Sequence, residues 1–145
     1  MTPGRDSTDC AARLRLRNDR DEHQRLQGAL RRFCAENGIG DDCAHQLRLL
    51  LEEMFINAAT HAYSEGVSGW IDVTFGCRDS TVSIVIEDEG TPFNPLERPA
   101  PDLSVEFDER EIGGHGLLLI RSLADDVDYA YCGKRNQLRV ICRAS

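Results

Sequence analysis

The feature that most constrains this chain is one long apolar stripe. From Asp41 or Asp42 to about Tyr63, the residues Leu47, Leu50, Leu51, Met54, Ala58 and Ala62 recur at helical spacing. A helix of that span is about 30 Å long, and a second layer must cover its stripe. The chain supplies strands for that layer. Ala12 to Arg17 reads A-R-L-R-L-R, the alternation of a half-exposed strand. Trp70–Cys77 and Thr81–Glu87 are rich in β-branched or aromatic residues, and Arg78-Asp79-Ser80 makes a hairpin turn between them. Val127–Cys132 and Gln137–Arg143 read as a closing pair. An earlier helix carries Leu26, Leu30, Phe33 and Cys34; Asn18 and Asp19 can cap it, and Asn37-Gly38 stops it. The order β-α-α-β-β-loop-α-β-β predicts an α+β fold: a two-layer sandwich whose mostly antiparallel, mixed sheet carries helices on one face.

The length of 145 residues suits one domain able to bury a core without metal or disulfide staples. Residues 1–11 read as a loose tail and residues 12–145 as the domain. No apolar run reaches the length of a membrane span, and Met1 to Cys10 lacks the apolar stretch of a signal peptide. A cytoplasmic protein is the expectation. The net charge of −8 argues against direct nucleic-acid binding. The basic cluster Arg13, Arg15, Arg17, Arg20 and Arg25 is read as a solvated strand face and first helix turn. The six cysteines form no C-x-x-C and no zinc spacing, so all are expected to be reduced structural thiols. Residues 91–112 hold Pro92, Pro95, Pro99 and Pro101 and a run of acidic residues. So long a stretch without regular signal suggests a lid, a binding loop or disorder.

Three motifs carry chemistry. Glu53, Asn57 and His61 stand at i, i+4 and i+8, in one row beside the apolar stripe. A carboxamide oxygen suits Mg²⁺, which takes few protein ligands, and a carboxylate one turn away can deprotonate a hydroxyl. Alone, the row also fits a solvated helix edge. Asp88-Glu89-Gly90 follows the third strand; its Asp can accept from an exocyclic amine such as adenine N6, or form an ordinary acidic turn. Gly113-Gly114-His115-Gly116 precedes the apolar helix Leu117–Ala124. Glycines there let backbone amides approach phosphates at a helix N-terminus, though simple capping explains them as well. The pattern is neither a P-loop nor a Rossmann fingerprint.

Together, in this order, the motifs resemble the GHKL ATPases, the superfamily that includes gyrase and histidine kinases, whose ATP-binding unit is the Bergerat fold. The first box is Glu53-x-x-x-Asn57-x-x-x-His61, the second Asp88-x-Gly90, the third Gly114-x-Gly116-Leu117. Within that superfamily the chain is similar to the stand-alone anti-sigma-factor serine kinases. Three strings carry this likeness: Glu53 to Tyr63 (EMFINAATHAY), Asp88 to Pro95 (DEGTPFNP) and Gly116 to Tyr129 (GLLLIRSLADDVDY).

The resemblance implies a set of roles. Asn57 coordinates Mg²⁺ on the ATP phosphates, and Glu53 is the catalytic base; its neighbour Glu52 points about 100° away on a helix. Asp88 reads adenine N6, Gly90 permits close approach, and Phe93 belongs to the same nucleotide-binding string. Residues 91–112 form the ATP lid, and Gly113, Gly114, His115, Gly116 and Leu117 meet the phosphates. His61 lies near the pocket as a structural histidine rather than a phosphoryl carrier. His115 is an unusual middle residue that touches phosphate or fills space, and Pro92 stands where the wider superfamily often has glycine.

The implied function is an ATP-dependent protein-serine kinase and anti-sigma factor, cofactors ATP and Mg²⁺. Its substrate is a serine of a STAS-domain anti-anti-sigma protein, and its second partner is a sigma factor. The alternative is a nucleotide-dependent interaction module with little or no kinase activity. A third reading is a generic ATPase domain cut from a larger histidine kinase or response protein. A homodimer is a further expectation, through the first-strand edge at Leu14 and Leu16.

Overall fold

A computed structural model describes residues 10–61, 63, 67–92, 94, 120 and 122–143. Five strands form one sheet: β1 (Cys10–Arg17), β2 (Trp70–Arg78), β3 (Thr81–Asp88), β4 (Asp126–Cys132) and β5 (Arg135–Arg143). Two helices, α1 (His23–Glu36) and α2 (Asp41–His61), lie between β1 and β2 in the chain. The order across the sheet is β1-β2-β3-β5-β4, and every pairing among the described residues is antiparallel. The expected α+β sandwich is therefore present.

One sheet face makes the core. Along β3, Val82, Ile84, Ile86 and Asp88 are buried, and on β5 the same parity buries Asn136, Leu138, Val140 and Cys142. Ile71, Val73 and Phe75 of β2 and Leu16 of β1 join them. The helices supply the opposing layer: Leu26, Leu30, Phe33 and Cys34 from α1, and Leu47, Leu50, Leu51, Met54 and Phe55 from α2. The rings of Phe33 and Phe75 meet across the layers with centroids 5.6 Å apart. Each fully buried Leu or Phe contributes about 1.5–3 kcal/mol of transfer free energy. This is why the α2 stripe governs the architecture.

Two tight hairpins set the register. Asp79 and Ser80 have φ of 49° and 67°, and Gly133 and Lys134 have φ of 61° and 64°. Both pairs suit two-residue turns of the type whose twist matches the flanking strands. The first joins Arg78 to Thr81 and the second joins Cys132 to Arg135.

Several local expectations shift. β1 begins at Cys10, two residues before the Ala12 alternation, because Cys10 and Ala11 pair with Cys77 and Gly76. Asp19 caps a short 3-10 turn at Arg20–Glu22, accepting from Asp21 N at 3.0 Å, and α1 starts only at His23. Asn18 instead reaches across the chain. Its Nδ2 donates to Val67 O at 2.8 Å and its Oδ1 accepts from Gly69 N at 2.9 Å. Asn18 N also donates to Gly69 O at 3.0 Å. Cys34, Cys43, Cys77, Cys132 and Cys142 form no disulfide.

The other sheet face is polar. Asp72 is buried there, held by Arg135 Nη2 at 2.6 Å, Arg15 Nε at 3.3 Å and Arg13 Nη2 at 3.6 Å. Arg15 and Arg17 stack over Trp70, with guanidinium carbons 5.0 and 4.0 Å from a ring centroid. The arginines of β1 are thus more than a solvated face: they neutralise a buried carboxylate and cover an aromatic ring.

Candidate nucleotide site

The site is built where the C-terminal end of α2 meets the end of β3. Asp88 is the last residue of β3, and it faces the core by the strand's alternation. A buried carboxylate needs hydrogen bonds. Its Oδ1 accepts from Gly90 N at 2.9 Å and from Asn136 Nδ2 at 2.8 Å. The first bond is the local Asx turn that bends the chain at Asp-x-Gly. The second comes from β5, whose register sets Asn136 opposite Asp88. Asn136 Nδ2 also donates to Thr91 O at 2.9 Å and lies 3.4 Å from Gly90 O, and Asn136 Oδ1 accepts from the Tyr129 hydroxyl.

Oδ2 of Asp88 takes no hydrogen bond from a described residue. Asp88 therefore presents one committed oxygen and one acceptor for an external donor. Burial pushes its pKa above the ordinary carboxylate value; the Asn136 and Gly90 donors and the Arg135 charge pull it back. Its neighbour Glu89 is exposed and pairs with Arg135 at 3.2 Å.

α2 brings the second group. Glu53 and Asn57 are half-buried on consecutive turns, beside the buried Met54. Burial, and then the adjacent Glu52, push the Glu53 carboxyl upward. A carboxyl with a raised pKa is a better proton acceptor than an ordinary one. Neither Glu53 nor Asn57 is engaged by a hydrogen bond from a described residue, so both polar ends are available. Tyr63, two residues beyond α2, touches Trp70 O and Glu89 N and joins the helix end to the Asp88 turn.

The structure thus brings Asp88 and Gly90 close to the end of the helix that carries Glu53 and Asn57. The side chain of His61, and Phe93, Gly113, Gly114, His115, Gly116 and Leu117, lie outside the described residues. So do most of the expected tail and lid. The closing helix is visible at its end, where Ala124 N donates to Ile120 O at 3.0 Å. Among the described residues no group of three or more His, Cys, Asp and Glu could hold a metal. Mg²⁺ bound by one protein oxygen and phosphates does not require such a group.

Sequence reasoning assigned no role to Asn136, Tyr129, Tyr63 or Asp72. One signal was available for Asn136: it shares parity with Leu138, Val140 and Cys142, so a polar residue stands on an otherwise apolar face. Tyr63 and Tyr129 each close a string that carries the family likeness, but no periodicity indicates what their hydroxyls meet.

Comparison with known proteins bears out the resemblance read from the motifs. The serine-protein kinase RsbW of Oceanobacillus iheyensis is 33% identical over 95 residues, 62% of this chain and 60% of that protein. The serine/threonine-protein kinase BtrW of Bordetella bronchiseptica is 31% identical over 83 residues, 57% of this chain and 58% of that protein. The anti-sigma F factor of Bacillus velezensis is 28% identical over 82 residues, 57% of this chain and 56% of that protein. The chain thus spans about three fifths of the length of the curated relatives it matches. A crystal structure of the RsbU and RsbW domains of a Mycobacterium tuberculosis protein superposes with a TM-score of 0.66 at 18% identity. It covers 92% of this chain and 32% of that one, a likeness of fold. Among the described residues no helix is long and apolar enough to cross a membrane. The model of the histidine kinase-like ATPase domain matches residues 16–142, and the chain belongs to that family.

Proposed function

We propose that this chain binds ATP with Mg²⁺ and transfers the γ-phosphoryl group to a serine of a STAS-domain anti-anti-sigma protein. In the same reading it holds a sigma factor as its second partner, in the cytoplasm. The observation that carries the nucleotide step is Asp88: buried, with Oδ1 saturated and Oδ2 open to a donor. An exocyclic amine fits such an oxygen. The kinase step is supported by the names of the relatives, two of them protein kinases and one an anti-sigma factor.

Each residue has a distinct task. Asp88 Oδ2 accepts from the base, and Gly90 lets the ring approach the backbone. Asn57 offers a neutral oxygen to Mg²⁺, which when bound neutralises charge on the phosphates. Glu53 Oε accepts the proton of the attacking serine hydroxyl, and its raised pKa favours that acceptance. Gly114 and Gly116 would present backbone amides to the phosphates, with residues 91–112 as the lid.

The test is transfer of radiolabel from γ-labelled ATP to a STAS-domain protein, beside measured ATP affinity. Glu53→Gln is expected to abolish labelling while ATP affinity stays within about threefold. Labelling undiminished in Glu53→Gln rejects Glu53 as base. Tight ATP and partner binding with no serine labelled by the unaltered chain supports the interaction-module alternative instead.

A further inference from the structure

Tyr63 occupies an unusual place between two strands. The register of β2 and β3 ends at Ile71 opposite Asp88, so Trp70 and Glu89 are the next pair along the ladder. No direct bond between Trp70 and Glu89 continues it. The Tyr63 hydroxyl stands there instead, donating to Trp70 O at 2.7 Å and accepting from Glu89 N at 3.1 Å. One oxygen thus bridges the carbonyl and the amide that meet at the ladder's end. The phenol satisfies both groups at once and holds the strands apart. β3 therefore ends at Asp88, where the Asp-x-Gly turn begins.

The phenol ring is fixed as firmly as its oxygen. It lies against the backbone of Gly69, where an added Cβ would clash with the ring. Asn18 holds Gly69 in place through both Gly69 N and Gly69 O. Tyr63 is half-buried and follows α2 by two residues. The strut from α2 to the Asp88 turn is consequently made of one aromatic ring, a glycine cut to receive it and a side chain that locks the glycine.

We infer that Tyr63 is a positioning residue that ties the Asp88–Gly90 turn to the end of α2 and thereby sets how sharply the site discriminates purines by their exocyclic amine. The inference rests on the reading of Asp88 as the group that meets adenine. Asn136 orients the Asp88 carboxylate from β5, while Tyr63 holds the following peptide and, among the described residues, is the one side chain that ties that peptide to the end of the helix bearing Glu53 and Asn57. Without the hydroxyl, Glu89 N is free to join Trp70 O directly. The ladder would extend by one pair and draw Asp88 out of its position.

The experiment compares the affinity of the full chain for ATP and for purine riboside triphosphate, which lacks only the 6-amino group. The unaltered chain is expected to prefer ATP by about tenfold or more. In Tyr63→Phe the preference should fall below about threefold, with the analogue bound nearly as before. Gly69→Ala keeps the hydroxyl but displaces the ring, and it should lose the preference in the same way. The ratio separates positioning from mere stability, since a general loss of folded protein weakens both nucleotides equally. A Tyr63→Phe or Gly69→Ala protein that keeps the full preference, or loses both nucleotides in proportion, overturns the inference while leaving the adenine reading intact. An unaltered chain with no preference between the nucleotides overturns the adenine reading and this inference together.

Discussion

Asn136 on β5 donates its side-chain amide to Asp88 on β3 at 2.8 Å, linking residues 48 apart in the chain through adjacent strands of the sheet. The same Nδ2 reaches Thr91 O, and Tyr129 fixes the amide from its other end. The carboxylate is therefore aimed before any ligand arrives, and its orientation depends on a strand that carries none of the three motifs.

Replacing Asn136 with Ala removes that donor from a buried carboxylate. Leaving such a group partly unsatisfied costs about 1–3 kcal/mol. ATP affinity is expected to fall by about tenfold, with the unfolding midpoint lowered as well. Calorimetric titration and urea denaturation measure the two effects. Unchanged affinity would show that Asn136 does not orient Asp88.

The pH dependence of the site has a definite sign. Asp88 has a folded pKa raised mainly by burial. An acceptor must be ionised, so ATP affinity should fall as pH drops through that raised pKa, at higher pH than an ordinary Asp would give. Stability moves the other way. The folded state binds the proton more tightly than the unfolded chain, so the Asp88 contribution to stability is greatest below the unfolded value and declines as pH rises through the folded one. Asp88→Asn should abolish ATP binding without lowering the thermal midpoint at neutral pH. Titrations from pH 4 to pH 8 check both trends.

Asp72 is the anchor of the polar sheet face. Asp72→Ala leaves Arg135, whose side chain is only 25% exposed, without its 2.6 Å partner. A loss of about 2 kcal/mol in unfolding free energy is expected. Arg13, 65% exposed and 3.6 Å away, should cost under about 1 kcal/mol when replaced by Ala. Urea unfolding of the two variants, compared at low and moderate salt, separates them.

Ser80 adopts φ of 67° in the β2–β3 hairpin. Non-glycine residues are disfavoured there by contact of Cβ with the backbone. Ser80→Gly is expected to raise stability by about 0.5–1 kcal/mol, measured by thermal unfolding, with ATP affinity unaltered because the turn lies at the opposite end of β3 from Asp88.

Among the described cysteines, reactivity should follow burial. Cys142 is buried, its thiol donates to Leu123 O, and burial pushes its pKa to about 11. Cys132 is exposed. Iodoacetamide at pH 8 should label Cys132 within minutes and leave Cys142 unmodified until the chain unfolds, as read by peptide mass spectrometry.

The α+β class, the order of the described elements and the stripe residues Leu47, Leu50, Leu51 and Met54 were legible in the sequence, because helices and strands bury one face and that periodicity is local; Phe55 joins the stripe unforeseen, and Ala62 lies outside the described residues. The three motifs stand out as short strings at fixed spacing; the third, Gly114-x-Gly116-Leu117, lies outside the described residues. Only the tertiary structure decided which oxygen of Asp88 is left open, because its partner Asn136 arrives through the β3–β5 register. It alone showed that the arginines of β1 serve Asp72 and Trp70, residues more than 50 positions away in the chain. Tyr63 is the clearest case. In the sequence it closes a helix, whereas in the fold its hydroxyl ends a strand ladder. A hydrogen bond between elements depends on how layers pack, and no periodicity of the chain encodes that.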